Sequence, residues 1–147
     1  MEAATYAGVM SSPSPERAVR ILIADDHRLF AESLMRVLTE DERVDVVGIA
    51  DNGRKAVELA VDLQPDVILM DLNMPVLDGF KATQQLREAG SDAQILILTG
   101  ADEAIGSEDA AAAGASGYLR KEQGLDQLQQ VLLEVASLAA VLGHSGR

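Results

Sequence analysis

The chain has 147 residues and no cysteine, which predicts one domain with its own hydrophobic core and excludes disulfides and thiolate metal sites. Hydrophobic residues make up 48% of the sequence, a globular composition and not that of a disordered chain. The formal net charge of −12 repels nucleic-acid phosphates, so direct binding of nucleic acid by this chain is not expected.

The two ends of the chain differ from its middle. Residues 1–18 are rich in small residues, serine and proline and predict a flexible leader without the basic and apolar regions of a signal peptide. The apolar stretch near the C-terminus is interrupted by Glu134 and Ser137 and is too short to span a membrane. We therefore expect a cytoplasmic protein with one domain over 19–142 and a tail or linker start over 143–147.

Short apolar runs alternate five times with segments of helical periodicity. The predicted strands are 19–25, 44–50, 66–70, 93–99 and 115–121. The predicted helices are 27–40, 53–64, 80–90, 103–114 and 125–142. Because the strands are apolar throughout, they predict a parallel sheet covered by helices on both faces. The expected fold is α/β: a doubly wound, flavodoxin-like sheet of five parallel strands with five helices.

Polar residues stand where these strands end. Asp25 and Asp26 follow the first strand, Asp71 the third and Thr99 ends the fourth, while Lys121 lies at the end of the fifth. Functional sites of such sheets lie beyond the carboxyl ends of the strands. If the strand order is 2-1-3-4-5, the first and third strands are neighbours and three carboxylates converge.

Three carboxylates in one place repel one another, and a hard divalent cation bound through oxygen relieves that repulsion. Mg²⁺ fits best because it needs few protein ligands and keeps waters that a phosphate displaces. A lysine ammonium and a threonine hydroxyl beside it suit a phosphoryl group. We therefore predict that Asp71 is a nucleophile that accepts a phosphoryl group next to a metal ion.

Four motifs in chain order carry a family resemblance: "IADDH", "MDLNMPVLDG", "LTG" and "GYLRK". Over residues 19 to about 142 the sequence resembles the receiver domain of a bacterial two-component response regulator. "DDH", together with a residue other than proline after the lysine, resembles the branch that usually carries a C-terminal helix-turn-helix of the NarL/LuxR type. The resemblance implies a phosphorylation switch and not an enzyme, catalysing only its own phosphoryl transfer and slow dephosphorylation, and it implies control of transcription through a domain absent from this chain.

The resemblance also implies a role for each site residue. Asp71 would be the phosphorylated residue, Asp26 a direct ligand of Mg²⁺ (or Mn²⁺), and Asp25 would act largely through water. The backbone carbonyl of Asn73 would complete the protein's ligands. Thr99 and Lys121 would hold the phosphoryl oxygens, and Tyr118 would change rotamer as Thr99 moves. The donor would be the phosphohistidine of a sensor histidine kinase, or a small phosphodonor.

Two positions depart from the family's usual pattern. Gly100 replaces the more usual alanine after the threonine, which would leave a phosphate more open to solvent. Glu122 stands where many receivers have proline, so the geometry of the Lys121–Glu122 bond is not carried over.

Several alternatives stand beside these assignments. Asp25 and Asp26 would also suit the N-terminal dipole of the first helix as caps. His27 is expected to open that helix as a surface residue, and His144 to be inert in the tail. A stand-alone receiver acting by protein contact is an alternative output. A haloacid-dehalogenase-type phosphatase is disfavoured because Asn73 replaces the general acid, and a nucleotide or flavin module because no glycine-rich loop follows a strand.

The last helix carries more apolar residues than one buried face requires. Five of them are predicted to face the core: Leu128, Leu132, Val135, Ala139 and Leu142. Val131, Leu138 and Val141 remain, and they predict a partner surface or a homodimer through this helix. The alternatives are a generously buried helix or a truncated connection to a missing domain.

Overall fold

The computed structural model describes residues 18–100 and 107–143. The predictions for the leader, for Gly106 and the start of the fourth helix, and for residues 144–147 lie outside these ranges. The strands are β1 Val19–Ala24, β2 Val44–Ala50, β3 Val67–Asp71, β4 Gln94–Thr99 and β5 Gly117–Arg120. The helices are α1 Arg28–Leu38, α2 Gly53–Leu63, α3 Gly79–Glu88, α4 Ser107–Ala113 and α5 Leu125–Gly143, with a 3-10 turn at Lys121–Gln123.

The strands form one parallel sheet in the order β2-β1-β3-β4-β5, which confirms the predicted topology. In its register Ala24 pairs with Met70, and Asp71 pairs with Leu98. The residue after Ala24 is Asp25, and the residue after Met70 is Asp71, so these two aspartates end adjacent strands side by side. The order of the sheet therefore brings together carboxylates that are far apart in the sequence.

Helices cover both faces of the sheet, as the apolar strands predicted. One core lies under α1 and α5 and includes Ile21, Leu34, Leu69, Leu98, Leu128 and Leu132. The other lies under α2, α3 and α4 and includes Ala56, Ile68, Ala82, Leu86, Ile97 and Ala110. Since side chains alternate along each strand, neighbouring residues supply opposite cores and the strands are apolar throughout.

Helix boundaries follow local chemistry. The side chain of Asn52 accepts a hydrogen bond from Lys55 N at 2.8 Å, and that of Asp78 accepts one from Lys81 N at 2.8 Å. These N-caps satisfy amides that have no partner within their helices. At the other end of α2, Gln64 adopts a left-handed conformation with φ 50°, directly before Pro65. Proline disfavours helical backbone at the preceding residue, so the helix ends there.

The loop between β3 and α3 is tightly folded against the strand end. Val76 has φ 73°, and Leu77 N donates to Pro75 O at 2.8 Å, so a γ-turn is centred on an exposed valine. Gly79 N donates to Leu72 O at 2.8 Å, and a Cβ at Gly79 would collide with the carbonyl oxygen of Asp71. Only glycine lets α3 begin this close to Asp71.

The last helix differs from the prediction at Val131. Leu128 and Leu132 are fully buried and Val135 packs partly against the core, as predicted, but Val131 is also half-buried against that core. The prediction that Val131 lies on a free surface was wrong, because α5 packs a broader apolar face against α1 and the sheet. Leu138 is exposed, as predicted. The side chains of Ala139, Val141 and Leu142 lie outside the described ones.

Within the described ranges, no helix has both the length and the hydropathy needed to cross a lipid bilayer.

We expect Gly79→Ala to destabilise the domain by about 1–3 kcal/mol, because the added methyl group must push backbone away from Asp71. Urea unfolding followed by circular dichroism measures the change. Gly48→Ala is the matched control, since its Cβ would meet only side-chain atoms, the nearest at 3.4 Å. Equal stability of the two variants would contradict the close approach at Gly79.

Candidate phosphoacceptor and metal site

Asp71 is the last residue of β3 and lies almost entirely inside the protein, with 3% of its surface exposed. Its Oδ2 atom is buried and has no hydrogen-bond partner. An unpartnered buried carboxylate oxygen is unfavourable, because its hydration is lost and not replaced. Asp71 is therefore held in a position that a further positively charged group would stabilise.

Asp25 and Asp26 come from the connection between β1 and α1. Asp25 is buried, and its Oδ1 accepts the backbone N–H of His27 at 2.9 Å. Asp26 is partly open to solvent, with 35% of its side chain exposed. His27 is the N-cap residue of α1, and no side chain caps that helix. Asp25 thus orders the turn before α1, but neither aspartate caps its first turn, so the capping alternative is not supported.

Lys121 supplies the positive charge at this edge of the sheet. Its Nζ lies 2.8 Å from Asp25 Oδ2 and 3.6 Å from Asp71 Oδ1. Asp25 Oδ2 is therefore ion-paired with the ammonium, whereas Asp71 Oδ2 has no hydrogen-bond partner. The ammonium also lies 4.9 Å from the centre of the Phe30 ring, within the range of a cation–π contact. The Lys121 ammonium therefore lies close to two carboxylates and one aromatic ring.

The turn that carries Lys121 is a 3-10 helix, Lys121–Gln123, with no cis peptide bond in the described residues. Arg120 N donates to Gln123 Oε1 at 3.3 Å and ties the two ends of this turn together. Glu122 points outward and lies 3.9 Å from the Arg120 guanidinium. Glutamate is compatible with this trans turn, which positions Lys121 without the proline found in many relatives.

The pKa of Asp71 is raised to about 7: burial is the largest cause, the negative charges of Asp25 and Asp26 also raise the pKa, and Lys121 lowers it. A carboxyl group with this pKa is about half protonated at neutral pH. The charged form of this carboxyl group is thus disfavoured until a cation offsets the neighbouring negative charges.

The carboxylates fit a divalent cation. Ligand atoms of Asp25, Asp26, His27 and Asp71 all lie within 4.8 Å of one another. Oxygen donors and an unpartnered Asp71 Oδ2 suit Mg²⁺ or Mn²⁺, which bind through carboxylates and keep several waters. Asn73 is exposed two residues after Asp71, and its carbonyl remains a predicted ligand.

Thr99 and Tyr118 belong to β4 and β5, the two strands that follow β3 in the sheet. Thr99 ends β4 and is fully buried, and its hydroxyl donates to Leu119 O at 3.4 Å, a long hydrogen bond. Tyr118 in β5 is half-buried and packs on the core under α2, α3 and α4. Their predicted roles therefore require a rearrangement, and both stay predictions.

His27 and Phe30 are site residues that the sequence did not reveal. His27 is a surface residue at the start of α1, as expected, but its Nδ1 lies 3.0 Å from Lys121 Nζ and 3.2 Å from Asp25 Oδ1. Phe30 in α1 packs partly buried on the core, and its ring lies beneath Lys121. The position of His27 directly after Asp25 and Asp26 was the one feature of the sequence that could have indicated its place in the site.

Comparison with known proteins identifies the family. The profile of the response regulator receiver domain matches residues 21–133. The chain belongs to this family. The receiver is 38% identical over 133 residues to the transcriptional regulatory protein DegU of Brevibacillus brevis, an alignment that covers 90% of this chain and 56% of DegU.

The relatives differ in what their names describe. The receiver is 35% identical to a protein-glutamate methylesterase/protein-glutamine glutaminase of Vibrio parahaemolyticus, covering 85% of this chain and 37% of that protein. The receiver domain of the response regulator NarL of Mycobacterium tuberculosis has the same fold, with a TM-score of 0.76, 34% identity, and coverage of 82% of this chain and 98% of that one. The chain spans about half or less of these full-length relatives, and NarL/LuxR-type receivers are among its structural neighbours.

We expect the metal-free receiver to lose stability as pH rises from about 4 to about 7. Since the pKa of Asp71 is about 7 when folded and near its ordinary 3.8 when unfolded, the folded state binds more protons in this window, and stability declines with pH. Urea midpoints in chelator at pH 4.5 and 7.5, compared with Asp71→Asn, measure the effect. The stability advantage of Asp71→Asn should widen at the higher pH, and a constant difference would contradict the raised pKa.

Proposed function

We propose that this receiver takes a phosphoryl group from the phosphohistidine of a sensor histidine kinase onto Asp71. The observation that carries the proposal is the buried Asp71 carboxylate, with one oxygen unpartnered and the other 3.6 Å from Lys121 Nζ. Small phosphodonors serve the same reaction. Residues 19–142 form the receiver in this proposal, with 1–18 as a leader and 143–147 as a tail or linker.

The reaction is a transfer between two nucleophiles. An Asp71 carboxylate oxygen forms a bond to phosphorus while the bond from phosphorus to the donor's nitrogen or oxygen breaks, and the leaving group takes a proton from solvent. When bound, Mg²⁺ supplies positive charge that offsets the carboxylates and the phosphoryl oxygens. Asp26 would hold that ion directly, Asp25 largely through water and Asn73 through its carbonyl. Lys121 and Thr99 hold the phosphoryl oxygens.

The product alters the surface near β4 and β5. In this proposal the phosphoryl oxygens attract the Thr99 hydroxyl away from Leu119 O, where it makes only a 3.4 Å hydrogen bond. The space that Thr99 leaves favours a rotamer of Tyr118 that turns inward, because a void forfeits packing contacts. The short helix α4 packs through the small side chains of Ala110 and Ala113 and shifts in response.

The output of the switch requires a domain or a partner protein that reads the altered surface. We propose that a C-terminal helix-turn-helix domain reads the altered surface and controls transcription in the cytoplasm, with the receiver itself acting as a switch and not as a substrate-turnover enzyme. The names of relatives such as DegU and NarL support this output.

The alternatives are an enzymatic output domain, as in the methylesterase relative, and a stand-alone receiver. Sequencing the gene past codon 147 discriminates among them: a stop codon supports the stand-alone receiver, and an enzymatic domain supports the methylesterase type.

Incubation with acetyl phosphate and Mg²⁺ should add one phosphoryl group to the receiver, detected by intact-protein mass spectrometry. Asp71→Asn should abolish the added mass, since an amide is not a nucleophile here, and chelation of Mg²⁺ should reduce labelling of the parent at least about tenfold.

The matched control for that experiment is Asp45→Asn, which removes an exposed carboxylate near the start of β2, outside the cluster. Its labelling should equal that of the parent. Full labelling of Asp71→Asn, or metal-independent labelling of the parent, would show that the phosphoacceptor assignment is wrong.

Phosphorylation should also change amide hydrogen exchange over residues 99–118, because Thr99, α4 and Tyr118 move together. Mass spectrometry of the phosphorylated and unphosphorylated receiver, with Asp71→Asn in acetyl phosphate as control, measures this. Light scattering on the same samples tests the proposed homodimer through α5, where Leu138 is 54% exposed. A fully phosphorylated receiver whose amide hydrogen exchange and light-scattering molar mass both equal those of the unphosphorylated receiver would contradict the switch.

A further inference from the structure

The imidazole of His27 lies where a ligand of a metal ion would lie. Its Nδ1 is 3.2 Å from Asp25 Oδ1 and 3.5 Å from Asp26 Oδ1. Two ligands bound at ~2.0–2.1 Å to one tetrahedral ion are roughly 3.3–3.4 Å apart. The imidazole nitrogen therefore has the spacing of an adjacent ligand to each of the two carboxylates, although the proposed phosphoryl transfer gives His27 no role.

A fourth donor comes from the other strand end. Asp71 is buried, and its Oδ2 has no hydrogen-bond partner, while its ligand atom lies within the same 4.8 Å cluster. A cavity of about 450 Å³, lined by Asp25, Asp26 and Asp51 among others, opens next to the cluster. Hydrated ions therefore reach the cluster from solvent on the side of Asp25 and Asp26.

We infer that His27 makes the acidic site of this receiver a binding site for a borderline transition-metal ion of the Zn²⁺ class, in competition with Mg²⁺. The inference rests on the acidic metal site of the proposed function and adds a nitrogen donor to it. Mg²⁺ prefers oxygen ligands and gains nothing from an imidazole, whereas Zn²⁺, Co²⁺ and Cu²⁺ bind imidazole and carboxylate together.

Binding through His27 has a consequence for Lys121. The Lys121 Nζ lies 3.0 Å from His27 Nδ1, the atom that the metal ion would take, and 2.8 Å from Asp25 Oδ2. A dication there repels the ammonium and displaces it from its present position. Since Lys121 is proposed to hold a phosphoryl oxygen, the Zn²⁺ form is an inhibited form of the receiver.

The test compares His27→Gln with His144→Gln, which removes the only other histidine of the chain. Zn²⁺ affinity is measured by competition with a chromophoric chelator, and Mg²⁺ affinity by calorimetry. The ratio of Zn²⁺ to Mg²⁺ affinity should fall by about tenfold or more in His27→Gln and stay at the parental value in His144→Gln. An unchanged ratio in His27→Gln, with its fold verified by circular dichroism, would overturn the inference.

A spectroscopic readout identifies the donor atom. Electron paramagnetic resonance of the Cu²⁺-loaded receiver should show nitrogen hyperfine coupling that disappears in His27→Gln and persists in His144→Gln. Persistence of that coupling in His27→Gln would overturn the inference. Neither readout needs phosphorylation. Loss of Asp71 labelling in Mg²⁺ would thus contradict only the proposed function, and an unchanged metal preference would contradict only the role of His27.

In acetyl phosphate and Mg²⁺, added Zn²⁺ should suppress labelling of Asp71 in the parent and in His144→Gln. His27→Gln should need about tenfold more Zn²⁺ for half-maximal suppression, because its metal site lacks the nitrogen donor. If the parent, His27→Gln and His144→Gln all needed the same Zn²⁺ concentration for half-maximal suppression, inhibition by Zn²⁺ bound through His27 would be contradicted.

Discussion

Repulsion between buried carboxylates is the constraint on which this site depends. Asp25 and Asp71 are both almost fully buried and lie at the ends of adjacent strands, and one oxygen of Asp71 has no hydrogen-bond partner. One ammonium group, that of Lys121, lies between them at 2.8 and 3.6 Å. A protein selected only for stability would not favour this arrangement, because unpaired buried charge is costly. The surplus negative charge makes these strand ends receptive to a cation.

The rest of the fold provides a rigid frame for that unfavourable cluster. Two cores, one on each face of the sheet, fix the strands in a register that places Asp25 beside Asp71. Gly79 lets α3 begin against the Asp71 carbonyl, and the γ-turn at Val76 completes the loop between them. Backbone contacts thus hold the acceptor strand end in place, so the repulsion cannot relax by a shift of the strand.

At the opposite end of the sheet, hydrogen bonds from one arginine side chain hold neighbouring elements together. The Arg87 guanidinium donates to the carbonyls of Gly114, Ser91 and Ala93 at 2.7 to 3.0 Å, and burial lowers the pKa of Arg87. This residue joins the end of α4 to α3 and to the start of β4. The described part of α4 is therefore anchored at its C-terminal end, while small alanines form its contact with the core. Motion of α4 in a switch would pivot about the Arg87 end.

The amino-acid sequence determined the class of this fold and most of its site. Apolar strands, helical periodicity and capping residues are local properties, so they predicted the five strands, the five helices and the Asp25, Asp71 and Lys121 positions at strand ends. Sheet order followed only on the assumption of a doubly wound topology, which the strand pairing confirmed.

Tertiary structure alone decided which side chains face one another. The contacts of His27 with Lys121, and of Phe30 with the same ammonium, join residues more than ninety positions apart, and no local pattern encodes them. Val131 was assigned to a free surface because helical spacing gives the direction of a side chain but not the width of the surface it meets. The direction of the Thr99 hydroxyl likewise depends on the carbonyl of a neighbouring strand. Such contacts arise only when distant segments pack, since their energies depend on the positions of both partners.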